Sequence, residues 1–179
     1  MHALVVYESL FGNTLEVAQA VAEGIRSEHD GAVIEVAEVG SRPAVGPDVD
    51  LLVIGGPTHA FGMTRPTTRD SARSQAKDEV TASADLSHDI GVREWLDALP
   101  AVHSHLLCAT FDTRTNAPRV PGSAARGMGK RLRAKGYGAA AEPHTFWVNG
   151  VEGPVLDGEL AKARDWGREL ATATRTHSW

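Results

Sequence analysis

The stretch Ser9-Leu10-Phe11-Gly12-Asn13-Thr14 joins a short apolar run to a helical pattern, and this junction decides the fold. The apolar run, residues 3–7, is rich in branched and aromatic side chains, as in a strand buried on both faces of a parallel sheet. After the junction, apolar residues recur at spacings of three and four, which predicts a helix with one apolar face. These residues are Leu15, Ala18, Val21, Ala22 and Ile25. The N-terminal unit is therefore predicted to be a strand, a turn and a helix.

The predicted turn has the groups that bind a phosphate without a lysine. The first amides of a helix lack partners within it and point at whatever lies beyond the N-terminus. Ser9, Asn13 and Thr14 add polar side chains, and Gly12 lets the backbone approach a ligand closely or adopt a positive φ. The chain contains no G-x-x-x-x-G-K-[ST], and no G-x-G-x-x-G follows the first strand. These absences argue against a nucleotide triphosphatase and against a dinucleotide-binding fingerprint.

The turn resembles the FMN phosphate-binding loop of the flavodoxin family, in which a hydroxyl residue, a glycine and a closing threonine wrap the monophosphate. An ordinary glycine-containing turn between a strand and a helix is the alternative. The resemblance implies FMN as the cofactor. The residues that it places on the FMN phosphate are Ser9, Leu10, Phe11, Gly12, Asn13 and Thr14.

A second loop follows the apolar run 51–54 and resembles the flavodoxin loop that packs on the flavin ring. Its residues are Pro57, Thr58, His59, Ala60, Phe61, Gly62 and Met63. A flavin needs a flat apolar wall, for which Phe61, Met63 and His59 are the candidates. Gly62 is the candidate for a flexible peptide that can partner the N5-H of the reduced flavin. The alternative is that Phe61 and Met63 only anchor a surface loop.

A third loop is predicted after the apolar run 106–110, at residues 110–115. The resemblance places Thr110, Phe111, Asp112 and Thr113 on the other side of the flavin ring, with Phe111 as the aromatic contact. The glycine-rich acidic form of this loop that is usual in the family is absent. Asp112 either contacts the pyrimidine edge of the flavin or only forms a turn. Three loops at three strand ends would form one site.

Strands and helices alternate along the rest of the chain, and no linker divides it, so residues 1–179 are expected to form one domain. Further strands are predicted at 33–36 and 139–148, the latter with a bulge or an edge position at Pro143. Helices are predicted at 92–99, around 124–132 and at 156–170. The resemblance implies an α/β fold with a doubly wound, five-stranded parallel sheet in the order 2-1-3-4-5. Residues 64–91 fall outside it and are expected to be an insertion or a long connection.

Composition narrows the functional classes. The net charge of −5 argues against nucleic-acid binding, and no apolar stretch is long enough to span a bilayer. The start of the chain has no signal-peptide pattern, so we expect a cytoplasmic protein. Cys108, the one cysteine, cannot form an intramolecular disulfide and is expected to pack in the core. His103 and His105 lack a third ligand at a recognisable spacing, which argues against a metal site.

Basic residues recur every fourth position in the segment after the second loop, at Arg65, Arg69, Arg73 and Lys77. On a helix they would form one stripe. The main expectation is a solvated surface. The alternatives are that the stripe docks an acidic partner or binds the 2′-phosphate of NADPH.

The resemblance implies a redox protein and leaves two functional classes open. One is an electron carrier between protein partners. The other is an FMN-dependent NAD(P)H:quinone oxidoreductase, whose active site would commonly form between subunits, so an oligomer is compatible with it. A third class, a flavin-free binding module on the same fold, lacks its acidic cluster here, since Glu8 stands alone after the first strand. Fold by itself does not separate the three classes.

Overall fold

The computed structural model describes residues 1–75, 90–102, 106–117 and 121–176, and within α2 it leaves out the side chains of residues 72, 73 and 75. In chain order, the elements are β1 (His2–Tyr7), α1 (Asn13–Glu28), β2 (Val33–Glu38), a 3-10 turn (Val39–Ser41), β3 (Leu51–Pro57), α2 (Pro66–Gln75), α3 (Val92–Ala98), β4 (Leu107–Thr115), α4 (Ala124–Ala134), β5 (Gly138–Ala139), β6 (His144–Val148) and α5 (Glu159–Thr176).

The strands form one parallel sheet in the order β2-β1-β3-β4-β5, which confirms the predicted order. The sheet has six strands rather than five, because the strand predicted at 139–148 is two strands. β5 pairs with the start of β4, and β6 pairs with its end, from Phe111 to Thr115. Pro143 lies in the break between them, where its missing N–H costs no ladder hydrogen bond.

Apolar side chains cover both faces of the sheet, as expected for parallel strands. Successive residues of a strand point to opposite faces. Thus Val5 packs with α1 and α5, whereas Leu4 packs with α3 and α4. Cys108 packs in the core on the same face of the sheet as Leu4, as predicted, and burial raises the pKa of its thiol to about 11. The two cores fix the strand ends, where the candidate site lies.

β4 is longer than the sequence predicted. It continues to Thr115, so residues 110–115, expected to be a loop, form the second half of a central strand. The physical reason is the pairing of β4 with β3 and β6, which provides partners on both edges of this polar stretch. Residues 103–105 lie outside the described residues, and so do His103 and His105. Among the described residues, no helix has both the length and the apolar content to cross a membrane.

Candidate functional site

The turn between β1 and α1 has the geometry of an anion cradle. Gly12 is the N-cap of α1, with φ of 88°, and its N–H donates to the Ser9 hydroxyl over 3.1 Å. Glu16 N–H donates to the Gly12 carbonyl over 3.1 Å as the first helical hydrogen bond. The amides of residues 13–15 precede that bond, and no side chain caps the helix. Backbone donors at a helix N-terminus attract a negatively charged group.

The side chains of Asn13 and Thr14 link this turn to the loop after β6 and to β4. Asn13 Nδ2 donates to the Glu152 carbonyl over 2.9 Å. The Thr14 hydroxyl lies 2.8 Å from the hydroxyl of Thr113, which belongs to β4. Both residues still line the cavity beside the turn. Their polar groups therefore hold the cradle in place and leave only part of their bonding capacity for a ligand.

The second predicted loop contains a tight turn over residues 59–62. His59 N–H donates to the Gly62 carbonyl over 2.9 Å, and Gly62 N–H donates back over 3.1 Å. Ala60 and Phe61 have φ values of 44° and 71°. Two left-handed central residues define a type I′ turn, which normally takes Asn and Gly. We call residues 59–62 the strained turn, because each non-glycine residue in this region costs about 1–3 kcal/mol.

Phe61, at the tip of the strained turn, is 63% exposed, whereas Met63 is buried in the core. Gly122 packs directly on the turn: a Cβ placed on it would lie 2.0 Å from the Phe61 carbonyl oxygen. The backbone of Gly62 lies outside the left-handed region, and a Cβ there would meet no atom within 4 Å. His59, Phe61 and Met63 nevertheless line one cavity beside the strained turn. The flavin wall predicted from these three residues stays a prediction.

Asp112 has neither of its two predicted roles. It lies inside β4, is fully buried and accepts four hydrogen bonds. Oδ2 accepts from the Thr58 hydroxyl (2.8 Å), the Ser123 hydroxyl (2.6 Å) and Ala125 N–H (3.0 Å), and Oδ1 accepts from the Thr145 hydroxyl (2.7 Å). These four donors match the acceptor capacity of a carboxylate. Asp112 thus joins β3, β4, β6 and the N-terminus of α4.

Thr110 and Phe111 also lie away from the site. Thr110 donates its hydroxyl to the Ala125 carbonyl over 2.9 Å. Phe111 is fully buried and makes edge-on ring contacts with Phe146 and Trp166 at centroid distances of 5.8 and 6.1 Å. The prediction that these two side chains contact a flavin is wrong, because the strand ends later than the sequence suggested. Of the six residues 110–115 in the predicted third loop, Thr113, Arg114 and Thr115 reach the site.

The strand ends of β1, β3 and β4 surround a cavity of about 200 Å³. Nine predicted site residues line it: Leu10, Phe11, Asn13, Thr14, Pro57, Thr58, His59, Ala60 and Thr113. Four lining residues were not among the named candidates: Arg114 and Thr115, which lie in the predicted third loop, and Val148 and Val151, which lie at or beyond the end of β6. The position of these residues at strand ends was the available sequence signal, but using it requires that the ends of β4 and β6 are predicted correctly. The cavity brings the cradle and the strained turn together.

A second cavity of about 350 Å³ lies on the other side of the strained turn and shares His59 and Ala60 with the first. Its charged lining residues are Arg65 and Arg93. Arg93 donates to the Met63 and Thr64 carbonyls over 2.9 and 3.0 Å. Burial, and then the charges of Arg131 and Arg65, lower the pKa of Arg93. The second cavity is therefore positively charged, and it lies next to the cavity beside the cradle.

The basic stripe predicted from Arg65 does not form one solvated surface. Arg65 is exposed, but Arg69 is 2% exposed and pairs with Glu94 at 3.1 Å. Arg69 Nη1 also donates to the Thr64 hydroxyl over 3.1 Å. The side chain of Arg73 and all of Lys77 lie outside the described residues. The sequence could not predict this burial, since Glu94 is distant in the chain.

Glu8 was the main residue that sequence reasoning missed. It directly follows β1 and is 1% exposed. It accepts hydrogen bonds from the Thr64 hydroxyl and, over 2.8 Å, from Val92 N–H. Burial raises the pKa of Glu8, while these hydrogen bonds and the charge of Arg69 oppose that shift. The sequence signal for Glu8 was its position directly after a buried strand, and this signal did not identify Thr64 as its hydrogen-bond partner.

Comparison with solved structures places this geometry among known folds. The chain aligns with Flavodoxin 1 from Bacillus cereus over 100% of both chains, with a TM-score of 0.65 and 18% identity. It aligns with the flavodoxin WrbA-like protein from Agrobacterium tumefaciens over 99% of both chains, with a TM-score of 0.58 and 17% identity. The chain has the flavodoxin fold.

A flavodiiron core from Synechocystis sp. PCC6803 has a region of the same fold, with a TM-score of 0.63 and 17% identity. That alignment covers 99% of this chain but 37% of the flavodiiron chain. No protein-family model and no curated protein matches the sequence. The flavodoxin fold thus confirms the predicted architecture, while identities below 20% leave the chemistry to be argued from the site.

The residues present at the cavity fit FMN. The cradle offers backbone donors to a phosphate, and its left-handed Gly12 leaves open space where a Cβ would lie. Across the cavity, His59 and Ala60 of the strained turn face the opening, and Val148 and Val151 add apolar surface. Burial lowers the pKa of His59, which favours its neutral imidazole. Arg114 also lines the cavity, so apolar surface and one cation face the polar cradle, and both suit a flavin mononucleotide with its apolar ring and anionic phosphate.

Proposed function

We propose that this chain binds FMN in the cavity between the cradle and the strained turn and carries electrons between protein partners. One observation supports it most strongly: an anion cradle and a loop with apolar lining meet at the carboxyl ends of β1 and β3. In doubly wound sheets of this order, ligands bind where the strand order reverses, between β1 and β3. When bound, FMN supplies the reversible transfer of one or two electrons.

The chain's own residues bind and orient the cofactor in this proposal. The amides of residues 13–15 hold the phosphate with help from Ser9 and Thr14. Thr113 orients Thr14 through the 2.8 Å hydroxyl contact. The neutral His59 and the apolar Val148 and Val151 exclude water from one side of the ring. The role of Gly62 as a partner for N5-H stays a prediction, and Gly62→Ala is a suitable test because space is available for the methyl group.

Binding is tested by titrating the purified protein with FMN and with riboflavin, which lacks the phosphate, while visible absorbance and flavin fluorescence are measured. We expect FMN to bind at least about tenfold more tightly than riboflavin, because charge-assisted hydrogen bonds hold the phosphate. Ser9→Ala should narrow this ratio. Ser27→Ala, at the far end of α1, is the matched control. If neither FMN nor riboflavin binds, the proposal is refuted and a flavin-free binding module is favoured instead.

A second candidate function is an FMN-dependent NAD(P)H:quinone oxidoreductase, and the second cavity favours it. That cavity adjoins the strained turn and is lined by Arg65 and Arg93, so an anionic nicotinamide cofactor could lie beside the flavin. Anaerobic reduction of the FMN-loaded protein separates the two functions. Reduction in two resolved one-electron steps, with slow reaction with NADPH, supports the carrier. Fast two-electron reduction by NADPH, followed by reoxidation by a quinone, supports the enzyme.

A further inference from the structure

The strained turn has a threonine on each side, and both threonines bond to buried carboxylates. Thr58 precedes the turn and donates its hydroxyl to Asp112 over 2.8 Å. Thr64 follows Met63 and donates its hydroxyl to Glu8. Asp112 is 0% and Glu8 is 1% exposed. The two partners come from β4 and from the end of β1, so each side of the turn is tied to the central sheet.

The Thr58 side is held by several elements at once. The Thr58 N–H donates to the Thr113 carbonyl over 2.9 Å, and the Thr58 hydroxyl accepts from Ala124 N–H over 2.8 Å. The hydroxyl therefore accepts a hydrogen bond from the first residue of α4 and donates one to Asp112. Ser123 and Ala125 fix the same carboxylate oxygen. The position of Thr58 is determined by β4 and α4 together.

The Thr64 side has the same design with other residues. The Thr64 hydroxyl accepts from Arg69 Nη1 over 3.1 Å and donates to Glu8 Oε1. Glu8 Oε2 accepts from Val92 N–H over 2.8 Å. A cation, a hydroxyl and a carboxylate thus form a short buried chain of hydrogen bonds. The position of Thr64 is determined by β1, α2 and the start of α3.

We propose that the pairs Thr58–Asp112 and Thr64–Glu8 are positioning pairs that hold the strained turn ready to receive the flavin ring. This inference rests on the proposed function. The two hydrogen bonds between His59 and Gly62 close the turn, but Ala60 and Phe61 have no intrinsic preference for its left-handed conformation. Fixing both ends preorganises the wall of the cavity and leaves less ordering to be done on binding. Glu8 and Asp112 therefore act on the ligand through the turn and do not touch it.

The test replaces each threonine by valine, which keeps the shape and removes the hydroxyl, and by serine, which keeps the hydroxyl. Hydrogen exchange at the amides of His59 and Gly62 is measured without flavin, and the affinities for FMN and riboflavin are measured separately. Thr174→Val is the matched control, because Thr174 is a buried threonine whose hydroxyl donates within α5, to the Leu170 carbonyl over 2.9 Å. Denaturant unfolding of each variant shows that it is folded under the conditions of the assay.

We expect Thr58→Val and Thr64→Val to speed amide exchange in the turn about tenfold. The affinities for FMN and for riboflavin should both fall by the same factor. The serine variants should restore both measurements, and Thr174→Val should change neither by more than about twofold. Unchanged exchange in the valine variants would overturn the proposal. Faster exchange with unchanged riboflavin affinity would overturn the positioning role. Failure of the unmodified protein to bind flavin would refute the proposed function instead, since exchange is measured without it.

Discussion

Gly12 shows how much one backbone conformation contributes to the cradle. Its φ of 88° is strained for any side chain, although a methyl group would meet no atom within 4 Å. The requirement for glycine is therefore conformational and not steric. Ala60 and Phe61 accept the same kind of conformation without being glycine, and the buried hydrogen bonds on both sides of their turn offset the cost.

Gly12→Ala is expected to lower the free energy of unfolding by about 1 kcal/mol and to weaken FMN binding. Gly31→Ala is the matched control, because Gly31 has φ of 76° and equally open surroundings. It lies beyond the C-terminal end of α1, away from the cradle. Both variants should lose similar stability in urea unfolding, but Gly12→Ala alone should lose FMN affinity in a fluorescence titration. Equal FMN affinity in the two variants would contradict the cradle.

His59 should make stability depend on pH. Burial lowers its pKa in the folded protein, so the unfolded chain binds the proton more readily. The stability contributed by the neutral imidazole is therefore complete above the unfolded pKa of about 6.5 and declines as pH falls through the lower folded pKa. His144 has a pKa shifted in the same direction by burial and acts in the same window.

The measurement is urea unfolding at pH 7.5 and at pH 5, with and without His59→Gln. We expect the variant to lose less stability on acidification than the unmodified protein. His144→Gln provides the comparison that separates the two imidazoles. An unchanged loss of stability in His59→Gln would show that His59 does not titrate in this way.

Close contact between α1 and α5 is the main feature at the scale of the elements. Gly24 and Gly167 face each other at the crossing, and a Cβ on Gly167 would lie 2.3 Å from the Val21 carbonyl oxygen. Glycine lets these backbones touch, so Trp166 and Leu170 can reach the core beneath β1 and β4. The helix spacing in turn sets the position of the cradle, which lies at the N-terminus of α1.

Gly167→Ala should therefore destabilise the protein even though alanine favours helices. Overpacking of a tight contact typically costs about 1–3 kcal/mol, more than the helix propensity of about 1 kcal/mol that alanine returns. Denaturant unfolding checks the sign. A more stable variant would mean that α5 can shift away from α1 without loss, and the described crossing would not be required.

At the scale of the whole molecule, two buried carboxylates lie towards the carboxyl ends of the central strands of the sheet. Glu8 and Asp112 hold the strained turn, and they do so from β1 and β4, on either side of β3. The cavity, the cradle and the turn are therefore parts of one cooperative structure. A ligand that bridges the cradle and the turn stabilises all of it by mass action.

FMN should raise the thermal midpoint of the protein, and above the dissociation constant the gain should grow with the logarithm of the FMN concentration. At 100 times the dissociation constant, the expected gain is about 2.7 kcal/mol. Scanning calorimetry with FMN, riboflavin and buffer alone measures it, and we expect FMN to stabilise more than riboflavin does. Equal midpoints in all three solutions would contradict binding to the folded state.

Local spacing and composition predicted the strand–turn–helix unit at Ser9–Thr14 and the apolar strand before the second loop at Pro57–Met63, and the family resemblance of these two loops implied the order of the strands. The sequence by itself did not determine where β4 ends, so Thr110, Phe111 and Asp112 were placed in a loop. The tertiary structure decided that point through pairing with β3 and β6. It also decided the pairs Thr58–Asp112 and Thr64–Glu8, whose members lie 54 and 56 positions apart. Local patterns carry no information about which distant hydroxyl satisfies a buried carboxylate, since only packing brings the two together.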